Sequence, residues 1–117
     1  MGLMMRRGEI YFADLNPTVG DEINKTRPVL IVSNNANNNV ANTITIIPIT
    51  SNVKKVYPFE VLLERSESGL TKTSKAQCHQ IRTISKHRIS NKKVQGIVSN
   101  LILTKITFAL KLHLDLN

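Results

Sequence analysis

The cysteine and histidine side chains, Cys78, His79, His87 and His113, are the first candidates for chemistry in this 117-residue chain. Cys78 and His79 are adjacent, so on the strand expected there they point to opposite faces. No CxxC or HExxH spacing occurs, and neither a metal site nor a cofactor is expected. There is no GxSxG. Cys78 falls within an expected strand rather than at a helix N-terminus or in another activating setting, so a small half-buried core residue is the plain reading. A P-loop and a GxGxxG are also missing. What remains is Arg27, at the end of a loop, and Thr50, at the end of a strand. Arginines ahead of a proline-led strand are often surface groups, and threonines are commonplace in strands. The pair alone therefore leaves a functional and a purely structural reading open.

The elements that must position this pair can be read from pattern. Glu9 to Leu15 is rich in Ile, Tyr and Phe and reads as a strand. Asn16 to Glu22 reads as a loop punctuated by Pro17 and Gly20. Pro28 to Ser33 is a compact β-branched run, typical of a buried strand. Asn34 to Asn42 holds six asparagines and reads as a turn-rich connection. Thr43 to Thr50 is a Thr/Ile strand, with Pro48 marking an edge or bulge near its end. Ser51 to Tyr57 is a second loop. Pro58 to Glu64 and Ala76 to Ile84 follow as strands, separated by the polar segment Arg65 to Lys75, in which Gly69 is the expected turn. After the short apolar stretch Val94 to Val98, Ser99 is a sound helix N-cap. Leu103, Ile106 and Leu110 then recur at the spacing of a buried helical stripe. The spacing predicts a C-terminal helix of about four turns. No internal repeat and no linker is visible, and one domain spanning residues 1–117 is expected. Short strands at close spacing followed by one helix suggest a mainly β fold: a small curled antiparallel sheet or barrel closed by a helix.

Composition narrows the partners. Hydrophobic residues make up 41% of the chain, which argues for a folded globule. A core this small gains by pairing with a copy of itself or with a partner. The net charge is +8, which points to nucleic acid, an anionic membrane surface or an acidic protein. Between Ser68 and Leu114 there is no Asp or Glu, while Lys72, Lys75, Arg82, Lys86, Arg88, Lys92, Lys93, Lys105 and Lys111 fall in that stretch. A lysine-rich solvated face would look similar, but the total absence of acids favours a polyanion. Aromatics are only 4%, which argues against a broad aromatic platform for RNA bases. With one cysteine no intrachain disulfide is possible, as suits a reducing cytoplasm. Met1 to Arg7 has no apolar run after it and is not a signal peptide. Arg6 stands where a myristoylation pattern needs Ser or Thr. The apolar runs are too short to cross a bilayer. A soluble, cytoplasmic protein is expected.

One further signal comes from local order. Arg7-Gly8-Glu9-Ile10-Tyr11-Phe12-Ala13-Asp14-Leu15-Asn16-Pro17 resembles the opening of MazF/PemK toxins. So do Gly20-Asp21-Glu22 and the run from Lys25-Thr26-Arg27-Pro28-Val29 to Asn34. Ile49-Thr50-Ser51, Tyr57-Pro58, Gln80-Ile81-Arg82-Thr83-Ile84 and Ala109 to Leu114 continue the match in the family's order. The likeness runs from about Arg6 to the C-terminus, and residues before Met5 have no family counterpart. It implies an SH3-like barrel with a C-terminal helix and a homodimer whose RNA groove lies across the subunit interface. It implies a sequence-specific, metal-independent endoribonuclease toxin that cuts single-stranded RNA to a 2′,3′-cyclic phosphate and a 5′-hydroxyl. A small acidic MazE-like antitoxin would block the groove.

On this reading Arg27 and Thr50 are catalytic. RNA carries its own nucleophile, the 2′-OH, so a cutting enzyme need only align it, help move protons and hold the building charge. The planar fork of Arg27 would grip two oxygens at the phosphate, and Thr50 would donate to a phosphate oxygen and fix the geometry. Glu22, Lys25, Ser51, Tyr57, Pro58, Gln80 and Arg82 are the substrate-binding candidates. Glu22 would orient Arg27 or read a base edge. Gln80 offers both a donor and an acceptor, and Tyr57 with Pro58 offers a surface for a base. Each has a plainer alternative, Glu22 as an exposed loop acid and Gln80 as a side chain bonding nearby backbone. The chain departs from the family twice. His79 stands where relatives often carry an acid, either as a base or added charge, or as a neutral filler. The final helix opens Asn100-Leu101-Ile102-Leu103 where relatives are often acidic, and Leu101, Ile102 or Phe108 is expected to contact a second subunit or the antitoxin. The alternatives are a non-enzymatic CcdB-like toxin that binds DNA gyrase and a plain basic RNA-binding module, because fold alone does not settle function.

Overall fold

The computed structural model describes residues 4–117. The segment before Met5, which has no family counterpart, lies partly outside them, on residues 1–3. Seven strands form one curled antiparallel sheet. They are β1 (Glu9–Asp14), β2 (Thr26–Ile31), β3 (Thr43–Thr50), β4 (Glu60–Leu63), β5 (Ser74–Gln77), β6 (Arg82–Ser85) and β7 (Gly96–Ile97). The order is β4-β5-β3-β2-β1-β7, with β6 also on β3. Three helices are added: α1 (Asn35–Val40), α2 (Arg65–Ser68) and α3 (Asn100–Leu114). The expected mainly β sheet with a closing C-terminal helix is what forms, as an open half-barrel.

Alternation along the strands makes two cores. Ile10, Leu30, Val32, Ile47, Ile49, Val61, Leu63 and Ala76 face α3, which contributes Ile102, Ile106 and Ala109. Tyr11, Ala13, Val29, Ile31, Ile44, Ile46 and Ile84 face the other way, where Met5, Leu15 and Ile89 close over them. A sheet covered on both faces needs nearly continuous apolar strands, which explains Val29-Leu30-Ile31-Val32.

Several expectations are corrected. The asparagine run forms a helix, α1, because Asn34 accepts the amide of Asn37 at its N-terminus. Asn38 is buried and donates to the Ser33 carbonyl at 2.9 Å. Pro48 is not on an edge. It is buried opposite Val29, between Ile46, the last β3 residue paired with β6, and Ile49, the first paired with β5. The missing N–H thus falls where β3 changes partners. The polar segment after β4 starts with α2, stopped by Gly69 in the left-handed region at φ 75°. The strand expected from Ala76 to Ile84 is broken by a 3-10 turn over Cys78–Gln80, so Cys78 and His79 are not on opposite faces of a strand. Cys78 is fully buried rather than half-buried. The stripe of α3 is shifted: Ile102, Ile106 and Ala109 are buried, while Leu103 and Leu110 are only partly covered. Ser99 caps α3 as expected, accepting from the Ile102 amide at 3.2 Å.

Gly96 marks the tightest approach, since a Cβ there would stand 1.8 Å from the Ser68 carbonyl oxygen. Backbone cannot give way as a flexible side chain can, and overpacking typically costs about 1–3 kcal/mol. Gly96→Ala is therefore expected to lower the urea midpoint by at least that much stability. An unchanged midpoint would show that α2 is not seated on β7.

Candidate active site

Where the second core ends at the last residue of β3, the same sheet face turns polar. Thr50 lies opposite Lys75, and Gln77, opposite Glu60, is two residues further along β5. Their intervening neighbours Ile49, Ala76 and Val61 point into the core under α3. Arg27 comes from β2, two residues before buried Val29 on the same face. Its Nε donates to the Asn24 carbonyl at 2.7 Å, and its Nη1 lies 3.5 Å from Thr50 Oγ1. The Asn52 amide also donates to Thr50 Oγ1, at 3.2 Å. Both approaches use the hydroxyl as an acceptor, so its own proton is left to give to a ligand. Arg27 and Thr50 share an open cleft of about 230 Å3 with Asp21, Asn52, Lys75, Gln77 and Gln80.

The loop between β1 and β2 forms one wall, and the segment from Gln80 to Arg88 clamps it. Gln80 accepts from the Ile23 amide and donates to the Asp21 carbonyl, both at 3.3 Å. Arg82 donates to the Leu15 carbonyl at 3.1 Å, and Arg88 to the Asp14 carbonyl at 3.1 Å and to the Asn16 carbonyl. The plainer alternative for Gln80 is therefore what is seen, although it still lines the cleft. Glu22 does not bond Arg27. Its carboxylate accepts the Val19 amide inside its own loop. Glu22, His79, Gln80 and Arg82 together line a larger adjoining depression of about 620 Å3. Lys25 and Ser51 lie on the other side of Arg27, in a cleft of about 300 Å3 with Phe12 and Lys72. Tyr57 is exposed and stacks on Phe59, rings 5.3 Å apart. Pro58 faces away from Arg27, into a hollow between β4 and α3 with Phe108 and Leu112.

A buried ion pair supports the polar face. Lys75 Nζ donates to Glu60 Oε1 at 3.0 Å and to the Lys55 carbonyl at 2.6 Å. Glu60 also accepts the Tyr57 amide at 3.0 Å. Removing one partner of such a pair strands the other's charge and costs about 3–5 kcal/mol. Asp21, Asn52, Lys75 and Gln77 were not among the sequence candidates. The signal for two of them was present: in Ser74-Lys75-Ala76-Gln77 the polar residues alternate with a small apolar one, as one polar strand face requires.

Two groups considered for chemistry are set aside. Burial pushes the Cys78 thiol up to about 12, with the Glu60 carboxylate adding to the shift and a backbone bond opposing it. It is not a thiolate nucleophile. His79 meets Phe59 edge-on at 4.6 Å, and its Nδ1 is buried without a partner. Burial pushes its imidazole below the ordinary value, Glu60 opposes this, and His113 and Lys75 reinforce it. Among the described residues no group of three or more His, Cys, Asp or Glu is placed to hold a metal ion. No helix among them is long and apolar enough to cross a membrane.

The His79 shift has a defined sign. Well above its ordinary value of 6.5 the imidazole is neutral whether the chain is folded or not, and it contributes nothing. As pH falls below 6.5 the unfolded chain takes up the proton first, so folding stability drops until the folded-state value is passed. His79→Gln should reduce the loss of urea midpoint between about pH 7.5 and about pH 5.5. Equal losses in both proteins would show that His79 is not held neutral.

The family described as PemK-like, MazF-like toxin of type II toxin–antitoxin system matches residues 6–114. Endoribonuclease MazF9 of Mycobacterium tuberculosis is 48% identical over 118 residues, covering 97% of this chain and 98% of that protein. Endoribonuclease EndoA of Bacillus subtilis is 33% identical over 115 residues, covering 97% of each. A mycobacterial endoribonuclease solved in complex with its cognate antitoxin superposes with a TM-score of 0.79 at 27% identity, covering 97% of both chains. MazF of Deinococcus radiodurans, at 24% identity and a TM-score of 0.82, covers 96% of this chain and 97% of its own and shares the fold. The curled sheet, its closing helix and the run of matching residues have one source: the chain belongs to the PemK-like, MazF-like toxin family of type II toxin–antitoxin systems.

Proposed function

We propose that this chain is a MazF-type endoribonuclease that cuts single-stranded RNA at short specific sequences, with Arg27 and Thr50 at the scissile phosphate. The observation that carries the reading is the meeting of these two side chains, 3.5 Å apart, in an open cleft of a strongly basic protein. The curated relatives are named endoribonucleases.

The chemistry follows from what the pair can do. The 2′-oxygen attacks phosphorus, the O2′–P bond forms, and the P–O5′ bond breaks. The products are a 2′,3′-cyclic phosphate and a 5′-hydroxyl. The 2′-OH loses a proton and O5′ gains one, so protons balance. A guanidinium keeps its proton at any working pH, so Arg27 acts by holding the charge that builds on the nonbridging oxygens. Its Nε is already fixed by the Asn24 carbonyl, which sets the fork before substrate arrives and limits reorganisation. Thr50 donates to a phosphate oxygen and fixes its direction. Neither step passes through a metal.

Lys25 and Ser51 on one side and Glu22, Gln80 and Arg82 on the other flank this centre and extend it along the RNA. Tyr57 presents a stacked ring to solvent beyond Lys75. A homodimer would continue the groove across two subunits. An acidic antitoxin would occupy a groove of this charge, and the mycobacterial endoribonuclease was solved with a cognate antitoxin. Action on RNA in the cytoplasm follows from the same reading.

The test is incubation of long single-stranded RNA with purified protein in EDTA, beside Arg27→Ala and Thr50→Ala, with the 5′ ends mapped. Wild type should give discrete cuts with 5′-hydroxyl ends, and each variant should be slower by roughly a hundredfold or more. Uncut RNA, or equal cutting by wild type and Arg27→Ala, would contradict the assignment and make gyrase binding the next assay.

A further inference from the structure

Beside Arg27 and Thr50 the cleft holds an amide oxygen with nothing to bond. Gln77 Oε1 is buried and has no hydrogen-bond partner. Its side chain lines the cleft with Arg27, Thr50, Asn52 and Lys75. A buried carbonyl oxygen left unsatisfied is costly, and native folds rarely keep one without a use. The neighbours do not satisfy it. The Lys75 ammonium bonds Glu60 and the Lys55 carbonyl. Of the other amides in the cleft, Gln80 is committed at both ends to the backbone of Asp21 and Ile23, and Asn52 Oδ1 accepts the Lys54 amide at 3.4 Å.

We propose that Gln77 is a specificity-determining residue that reads a base of the RNA next to the scissile phosphate. The inference rests on the nuclease reading above. Thr50 and Gln77 are on one face of neighbouring strands, offset by two residues, or roughly 7 Å along the strand. That offset places the amide within reach of the base on the nucleotide whose phosphate Thr50 holds. The last torsion of a glutamine is broad and two-fold, so the amide can turn without moving the backbone. It then presents a donor beside an acceptor, the complement of a base edge with an amine beside a ring nitrogen, such as N6 and N7 of adenine. Single-stranded RNA exposes such edges. The Glu60–Lys75 pair beside it cancels its own charge, so the Glu60 carboxylate does not repel the incoming phosphate.

The test compares wild type with Gln77→Leu on one long RNA, aligning the sequences around every cut. Leucine keeps the bulk and removes the orphaned oxygen, so the melting temperature should be unchanged or higher. Cutting at the strongest wild-type sites should fall roughly 5- to 150-fold, and the preference at one position flanking the cut should flatten. Should Gln77→Leu fail to fold, Gln77→Met serves in its place. An unchanged preference at every position, with or without a uniform loss of rate, overturns the inference while leaving the nuclease intact. RNA left uncut by wild type itself is the separate result that removes the nuclease reading and this inference with it.

Discussion

The site depends on one constraint: the sheet carries an apolar core on each face, so polar groups can gather only where one core ends. Strand β3 shows this most clearly. It pairs with β2, β5 and β6, and its residues Ile44, Ile46, Ile47, Pro48 and Ile49 are all buried. Thr50, the last of the strand, is the first on that face to reach solvent. Arg27 emerges on β2 just ahead of buried Val29, and Lys75 and Gln77 on β5 beyond it. The proposed catalytic groups are thus carried on paired strands rather than loop tips, which limits how far they can wander.

The buried Glu60–Lys75 pair belongs to the same logic. Lys75 is 8% exposed and Glu60 6%, so neither charge is well solvated. Such a pair gains little net stability over apolar residues of the same shape. What it does here is fix geometry. Lys75 ties β5 to the loop at Lys55, and Glu60 ties β4 to the Tyr57 amide. The loop before β4 is thereby held against the strand that carries Gln77. A lysine and a carboxylate joined in this way also leave Arg27 as the cation in the cleft not already engaged with a carboxylate.

Most of the frame was legible in the sequence because two cores demand apolar strands, and β-branched runs announce them. Ser99 was legible for a local reason, since a cap acts within one turn. Asparagines are harder: the run from Asn34 reads as turns by composition, and only tertiary contacts decide that Asn38 is buried and α1 forms. The 3-10 turn at Cys78–Gln80 was hidden because its apolar and polar residues continue the pattern of β5. Arg27 and Thr50 were found through family likeness, and their approach in space fits it. Glu22 and Gln80 left a ligand role and a structural one open, and their side chains bond loop backbone while still lining the clefts. Lys75 and Gln77 were missed because a basic chain offers many lysines, and only register shows which faces Thr50. Of the three α3 residues expected to meet a partner, Ile102 lies in the chain's own core, while Leu101 and Phe108 are 65% and 67% exposed.

On the proposed reading, the phosphate to be cut sits between Arg27 and Thr50. A crystal structure with an RNA carrying a 2′-O-methyl group at the cut nucleotide tests it most directly, since the blocked oxygen cannot attack. The scissile phosphate oxygens are expected at about 2.7–3.2 Å from the Arg27 guanidinium and the Thr50 hydroxyl. A scissile phosphate bound elsewhere, with Arg27 and Thr50 touching only solvent or bases, would contradict it.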